Sequence, residues 1–371
     1  MGYPDILQLL FIHLLPRLKA GLNQKQSIMK YGLSLFSLCL ILLGASACEK
    51  EIFGLKYEND PLGNFDALWS EFDQLYGLFS LKGIDWEVQR NKFRPRLTAY
   101  SSNEDLYEVI VDMLSILDDG HVGLIPFGTD LPTYFGGPRG RLDTLQDFHF
   151  ALLKANYLMD SHETDFAMVY GFIEDKIGYV HIANFADGEK AFDKETGEML
   201  NYFREATALI IDIRGEGGGE DIAGKTIASH FTDQKRLYMT TSIKNGPEPE
   251  DFTQASEWYI APRGDFQFLN PVVLLTNRLT ISARESFALA MITLPQVTTV
   301  GDTTAGAFSN QINRELPNGW GYSISIGEWR TGEGISYEGQ GIPPQIPVLN
   351  KRVDLLNGKD EVLEKALELL R

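Results

Sequence analysis

The chain has 371 residues, 44% of them hydrophobic, and its 51 acidic side chains against 33 basic ones give a formal charge of −18. This length and apolar content suffice for a large buried core. The acidic balance excludes an ordinary nucleic-acid binder, which needs a basic face. Two cysteines with no Cys/His cluster exclude a disulfide framework or a zinc site, so no metal and no cofactor is expected.

Read from the N-terminus, Met29-Lys30 followed by Leu33 to Leu43 is a charged region and then an apolar run too short to span a membrane permanently. It ends at Ala45-Ser46-Ala47-Cys48, small residues before a cysteine, which resembles a bacterial lipobox with alanine at the position where leucine is preferred. That resemblance implies lipid on Cys48, attachment to a membrane surface, and an exported lipoprotein of the outer membrane, periplasm or cell surface. Met1 to Ile28 precede a ready-made start and read as over-called translation. Residues 1–47 are thus expected to be removed, with 48–63 as a tether.

Residues 64–125 are expected to form an N-terminal helical domain. Phe65, Leu68, Trp69, Phe72, Leu75, Tyr76 and Phe79 keep helical spacing, as do Leu106, Val109, Ile110, Met113, Leu114 and Leu117. Ser101-x-x-Glu104 has the form of a capping box. The second helix is expected to end at Asp118-Asp119-Gly120 and deliver His121 just past its C-terminus. A lone histidine is more often structural than catalytic, but two aspartates beside a helix end would hold the imidazole basic and oriented.

Residues 126–172 are a connecting region, and 173–371 alternate strand and helix patterns, an α/β arrangement. Alternation in Ile177-Gly178-Tyr179-Val180-His181-Ile182 suggests a half-buried strand. Leu209-Ile210-Ile211 reads as a core strand leading into Gly215-Glu216-Gly217-Gly218-Gly219, whose glycines permit φ > 0 and close backbone approach. The spacing fits neither a dinucleotide nor a phosphate loop, and alone it is an ordinary turn. Val272 to Leu275 reads as another buried strand, with a helix from about Ala283. Ser282 therefore lies at a strand–helix junction, where it is either an N-cap or a nucleophile facing the positive end of a helix.

Three segments taken together, LDDGHVGL (Leu117–Leu124), IDIRGEGGG (Ile211–Gly219) and LTNRLTISARESF (Leu275–Phe287), resemble the S41 peptidase family of tail-specific and tricorn-type proteases. IEDKIGYVHIANF (Ile173–Phe185), GDTTAGAFS (Gly301–Ser309) and YEGQGIPPQIPV (Tyr337–Val348) agree in order and spacing. The resemblance implies a crotonase/ClpP-like βα spiral core with an N-terminal helical bundle. It implies Ser282 as nucleophile, His121 as general base, and the N–H groups of Gly218 and Ala283 as an oxyanion hole. Glu338 is the candidate that orients His121.

Five departures from the family pattern stand out. Ala307 stands where tail-specific proteases carry a lysine base, which leaves His121 as the base. Gly120 replaces the serine that tricorn-type enzymes place before this histidine. Glu216 and Gln345 replace an asparagine and an aspartate. About fifty residues between Leu124 and Lys176 are too few for a PDZ domain. The expected function is a secreted serine endopeptidase acting on peptides or unfolded polypeptide. The alternative is a catalytically degenerate relative that binds peptides or hydrophobic ligands, and a crotonase-type acyl-CoA enzyme ranks below both.

Overall fold

A computed structural model describes residues 57–137, 147–215 and 217–371. Cys48, the lipobox and Glu216 lie outside the described residues. Residues from Tyr57 onward form one compact unit.

The unit opens with helices α1 (Pro61–Leu75), α2 (Phe79–Lys82), α3 (Trp86–Phe93) and α4 (Asn103–Ser115). Helix α1 begins inside the stretch expected as tether. Asp60 caps it through the Gly63 N–H (2.7 Å), and Pro61 supplies a preset φ at a position with no intrahelical N–H bond to lose. The capping box of α4 lies one residue beyond the expected pair, with Ser102 and Asp105 bonding each other's backbone N–H. The helix also stops earlier than its apolar spacing suggested. Ile116 to Gly120 form a turn in which Asp118 takes φ 42°, and that turn re-aims the chain before His121.

Strand β1 (Gly123–Ile125) follows, paired with β2 (Tyr134–Phe135). Next come α5 (Phe150–Tyr157), β3 (His162–Glu163), β4 (Met168–Glu174), β5 (Ile177–Ile182), α6 (Glu189–Tyr202), β6 (Ala208–Asp212) and α7 (Asp221–Ala228). The chain continues through β7 (Arg236–Ile243), β8 (Ser256–Ile260), β9 (Val272–Thr276), α8 (Ala283–Ile292) and β10 (Val297–Gly301). It closes with β11 (Gln311–Glu315), β12 (Gly321–Ser325), β13 (Gly327–Thr331), β14 (Ile346–Pro347), α9 (Arg352–Leu356) and α10 (Glu361–Leu370).

Seven strands in the order β14-β10-β9-β6-β5-β4-β3 form the central sheet. The pairs from β5 through β14 are parallel, and β3-β4-β5 form an antiparallel edge. The result is a mixed α/β fold with N-terminal helices and a central sheet. Parallel strands need both faces covered, so their sequences read as continuous apolar runs. All five residues of β6 and of β9 are indeed buried. Strand β5 was expected to be half-buried, yet all six of its residues are buried. Its second face is closed by Phe150, which stacks on His181 with ring centroids 4.3 Å apart.

A second sheet, β11-β12-β1-β2, joins residues 123–135 to residues 311–325. Leu316, Trp320, Tyr322 and Ile324 complete the core that Phe65, Phe72, Ile110 and Leu114 begin. The divisions read at 125 and 172 are therefore positions along the chain, and a single core crosses the first of them. This crossing fixes β1, and hence His121, against the α/β region.

Candidate active site

Ser282 sits between β9 and α8 with φ 61° and ψ −123°, a region that non-glycine residues rarely occupy. Holding such a residue costs about 1–3 kcal/mol and requires surroundings that over-determine it. Glu285 supplies them. Its buried carboxylate accepts from the Ser282 N–H (3.0 Å), Thr304 Oγ1 (2.6 Å), the Gly306 N–H (2.7 Å) and the Ala307 N–H (2.9 Å). Burial pushes the Glu285 carboxyl up to about 7, and these hydrogen bonds oppose the shift. The next helical residue, Arg284, points its guanidinium at the carbonyls of Ile213 (3.0 Å), Gly215 and Ala183. The nucleophile helix thereby grips the glycine turn directly.

That turn is held from several sides. Gly215 donates to Asn277 Oδ1 (3.3 Å), and Phe185 donates to the Gly218 carbonyl (3.0 Å). Arg214, almost wholly buried, pairs with Asp212 (2.7 Å) and Asp360 (2.9 Å) where the chain enters the turn. Space requires a glycine at Gly219 and leaves little room at Gly218. A Cβ on Gly219 (φ 149°) would meet the Phe185 carbonyl at 2.2 Å, and one on Gly218 would lie 3.3 Å from Ser282 Cβ and 3.6 Å from its Oγ. The Gly218 backbone thus runs directly past the serine side chain, with Ala283 opening α8 on the other side.

His121 reaches the same place from the helical side. Its Nε2 lies 2.9 Å from Ser282 Oγ, although 161 residues separate the two in sequence. The backbone around it is pinned: Asp119 Oδ1 accepts from the His121 N–H (2.8 Å), and Ser323 Oγ donates to the His121 carbonyl (2.6 Å). Tyr76 donates to the other Asp119 oxygen (3.0 Å). The aspartate beside the histidine therefore holds its backbone. Gly136 donates to the Val122 carbonyl (2.8 Å), and a Cβ on Gly136 would stand 2.5 Å from the Asp119 carbonyl. Residues 134–137 thus pack against the histidine turn.

Glu338 is buried nearby. Its Oε2 accepts from the Phe308 N–H (2.6 Å), and its Oε1 pairs with Lys82 Nζ (2.9 Å). Burial and the neighbouring Asp119 carboxylate push the Glu338 carboxyl up to about 8, with Lys82 opposing. Ala307 gives its N–H to Glu285, and Gln345 pairs with Thr299 at the edge of the sheet (2.8 and 3.1 Å). Reading the sequence missed Glu285, Arg284 and Lys82. Glu285, three residues after a candidate serine, carried a signal as a capping-box glutamate; the other two carried none, because their partners are remote backbone carbonyls or a distant carboxylate.

A nucleophile-type serine in strained backbone, a histidine on its hydroxyl and a glycine turn beside both form a serine-hydrolase arrangement. Comparison with known proteins agrees with that class. Residues 176–348 match the model of peptidase family S41, and residues 57–115 match the tricorn protease C1 domain. A candidate peptidase from Parabacteroides merdae, solved by crystallography, is 30% identical and superposes with a TM-score of 0.74 over 84% of this chain and 97% of its own. Mature CPAF shares the fold (TM-score 0.66, 83% of this chain and 96% of its own) at 12% identity. The carboxy-terminal processing protease CtpA of Bacillus subtilis is 27% identical over 181 residues, 48% of this chain and 36% of its own length. The match thus spans little more than a third of that curated relative. The chain belongs to peptidase family S41, a family of serine-type peptidases.

Proposed function

We propose that this protein is a secreted serine endopeptidase that cleaves peptides or unfolded polypeptide segments through an acyl-enzyme on Ser282, with His121 as base. The observation that carries this reading is the 2.9 Å contact between Ser282 Oγ and His121 Nε2. With the ring proton on Nδ1, Nε2 accepts the hydroxyl proton as Oγ attacks the scissile carbonyl. The oxyanion of the tetrahedral intermediate takes hydrogen bonds from the N–H groups of Gly218 and Ala283, each donor of this kind contributing roughly 3–4 kcal/mol. Protonated His121 then gives its proton to the leaving amine. Water, deprotonated by the same nitrogen, hydrolyses the ester and frees Ser282.

Support for the core as a crotonase/ClpP-like spiral comes from the march of parallel strands β5, β6, β9 and β10, with α6, α7 and α8 in the crossovers. Segment 126–172 holds only β2, α5, β3 and part of β4 among its described residues, which favours substrate capture without a PDZ groove. A fluorophosphonate probe should label the wild-type protein and leave Ser282→Ala unlabelled. A fully folded wild-type protein that resists labelling would instead favour the ligand-binding alternative.

The lipobox-like Ala45-Ser46-Ala47-Cys48 supports export and anchoring through an acylated Cys48. Among the described residues no helix is long and apolar enough to cross a membrane. Cys48→Ala should move the protein from the membrane fraction to the soluble fraction of cells. Unchanged membrane association would remove the lipid from the proposal.

A further inference from the structure

Lys82 stands where three parts of the chain meet. It is the last residue of α2, which Gly83 ends in a left-handed conformation (φ 65°) with its N–H turned back to the Phe79 and Ser80 carbonyls. The termination aims the Lys82 side chain inward, where it is only 13% exposed. Its Nζ lies 2.9 Å from Glu338 Oε1 and 3.3 Å from the Asp118 carbonyl. A Cβ on Gly339 would come within 3.6 Å of it. One ammonium group therefore touches the turn that carries His121 and the closing stretch that carries Glu338. Through the Phe308 N–H, Glu338 in turn reaches the segment whose Gly306 and Ala307 hold Glu285.

The electrostatics give this position a consequence. The charged and titratable groups around Glu338 include Lys82 from α2, Asp119 from the histidine turn, and Tyr76 just after α1. Asp119 and Glu338 are both buried, and Tyr76 already spends its proton on Asp119. Glu338 thus feels the Asp119 carboxylate on one side and the Lys82 ammonium on the other. Without that ammonium, desolvation and the Asp119 charge would raise the proton affinity of Glu338 further, and a protonated Glu338 carries no negative charge beside the base.

We propose that Lys82 is a positioning residue of this centre, holding down the proton affinity of Glu338 through its ion pair and tying the histidine turn to the closing stretch. The inference rests on the Ser282–His121 reading for its effect on catalysis, but the Lys82–Glu338 link can be tested without it. In the full chain labelled with carboxyl-13C glutamate, the Glu338 resonance, assigned by its loss in Glu338→Gln, should titrate at least about one pH unit higher in Lys82→Met, a tenfold change in proton affinity. Lys82→Arg should restore the wild-type midpoint, because guanidinium keeps the charge and the donors. Where Lys82→Met does not fold, Lys82→Gln, which keeps a donor without charge, serves the same purpose.

The second readout is the pH profile of fluorophosphonate labelling. The profile should carry a rise at the Glu338 midpoint, above the one set by His121, and in Lys82→Met that rise should move up by about one pH unit, while Lys82→Arg stays close to wild type. An unchanged Glu338 midpoint would overturn the proposal. So would a labelling rate that falls equally at every pH, the mark of a merely structural lysine. If the wild-type protein is not labelled at all, the peptidase reading fails, and the carboxyl titration still decides whether Lys82 governs Glu338.

Discussion

Replacing His121 with alanine should slow acylation of Ser282 by at least ~10²-fold, the lower end of what a positioned general base contributes. The fold should survive. The His121 N–H still reaches Asp119 and its carbonyl still accepts from Ser323, so the turn keeps its backbone contacts when the imidazole is removed. Activity in the wild type should rise with pH as the imidazole becomes neutral, in the range ordinary for histidine, about 6–7. A buried lysine base would place that limb wherever the desolvated amine loses its proton, but Ala307 leaves no such amine in 301–309. Glu338→Gln should give a milder loss, because the amide can still accept from the Phe308 N–H. The measurement is fluorophosphonate labelling rate alongside circular dichroism. Full labelling in His121→Ala together with none in Ser282→Ala would mean that a different group is the base.

Glu285→Gln should produce the largest stability change. The carboxylate accepts from four donors, three of them backbone N–H groups. A glutamine offers one oxygen and turns an NH2 toward the others, leaving at least one buried N–H unpaired at ~1–3 kcal/mol per group. With one or two N–H groups stranded the total is ~1–6 kcal/mol, and the strained Ser282 backbone should relax with it, so labelling should fall as well. Urea unfolding measures the first effect, and the labelling rate the second.

The sign of the pH dependence at this residue can be worked out. Burial raises the Glu285 carboxyl from 4.5 to about 7, so the folded protein holds this proton more tightly than the unfolded chain does. Its favourable contribution is complete below about 4.5 and is lost as pH rises toward 7. Asp221, raised by burial to about 7, and Glu338, raised to about 8, act in the same direction. His181 acts oppositely, since burial lowers it from 6.5 to about 4, but its contribution has ended by pH 6.5. Between pH 6.5 and 8 the thermal midpoint should therefore fall, and Glu285→Gln should flatten the lower part of that decline.

Much of the architecture was legible in the sequence because it rests on local or periodic chemistry. Continuous apolar runs at Ala208–Asp212 and Val272–Thr276 became parallel strands buried on both faces. The helical spacing of Phe65, Phe72, Ile110 and Leu114 became the helical core. Ser282, the glycine turn and His121 could be singled out because each stands at the end of a periodic element, where the pattern breaks. Charge alone could not have found the site, for the whole chain is acidic.

Only the tertiary structure decided how those pieces meet. No periodicity says that β12 pairs with β1 and so carries residues 321–325 under the helices to brace His121. None says that α4 stops at Ser115 so that a left-handed Asp118 can turn the chain toward Ser282. Arg284 and Lys82 look in the sequence like ordinary helix residues and Glu285 like a capping-box partner, but their role comes from remote groups: two backbone amides and a threonine hydroxyl, three carbonyls, and one buried carboxylate. Sequence reports the preferences of each segment, while a strained serine needs donors brought from elsewhere in the chain, and only the folded core can deliver them.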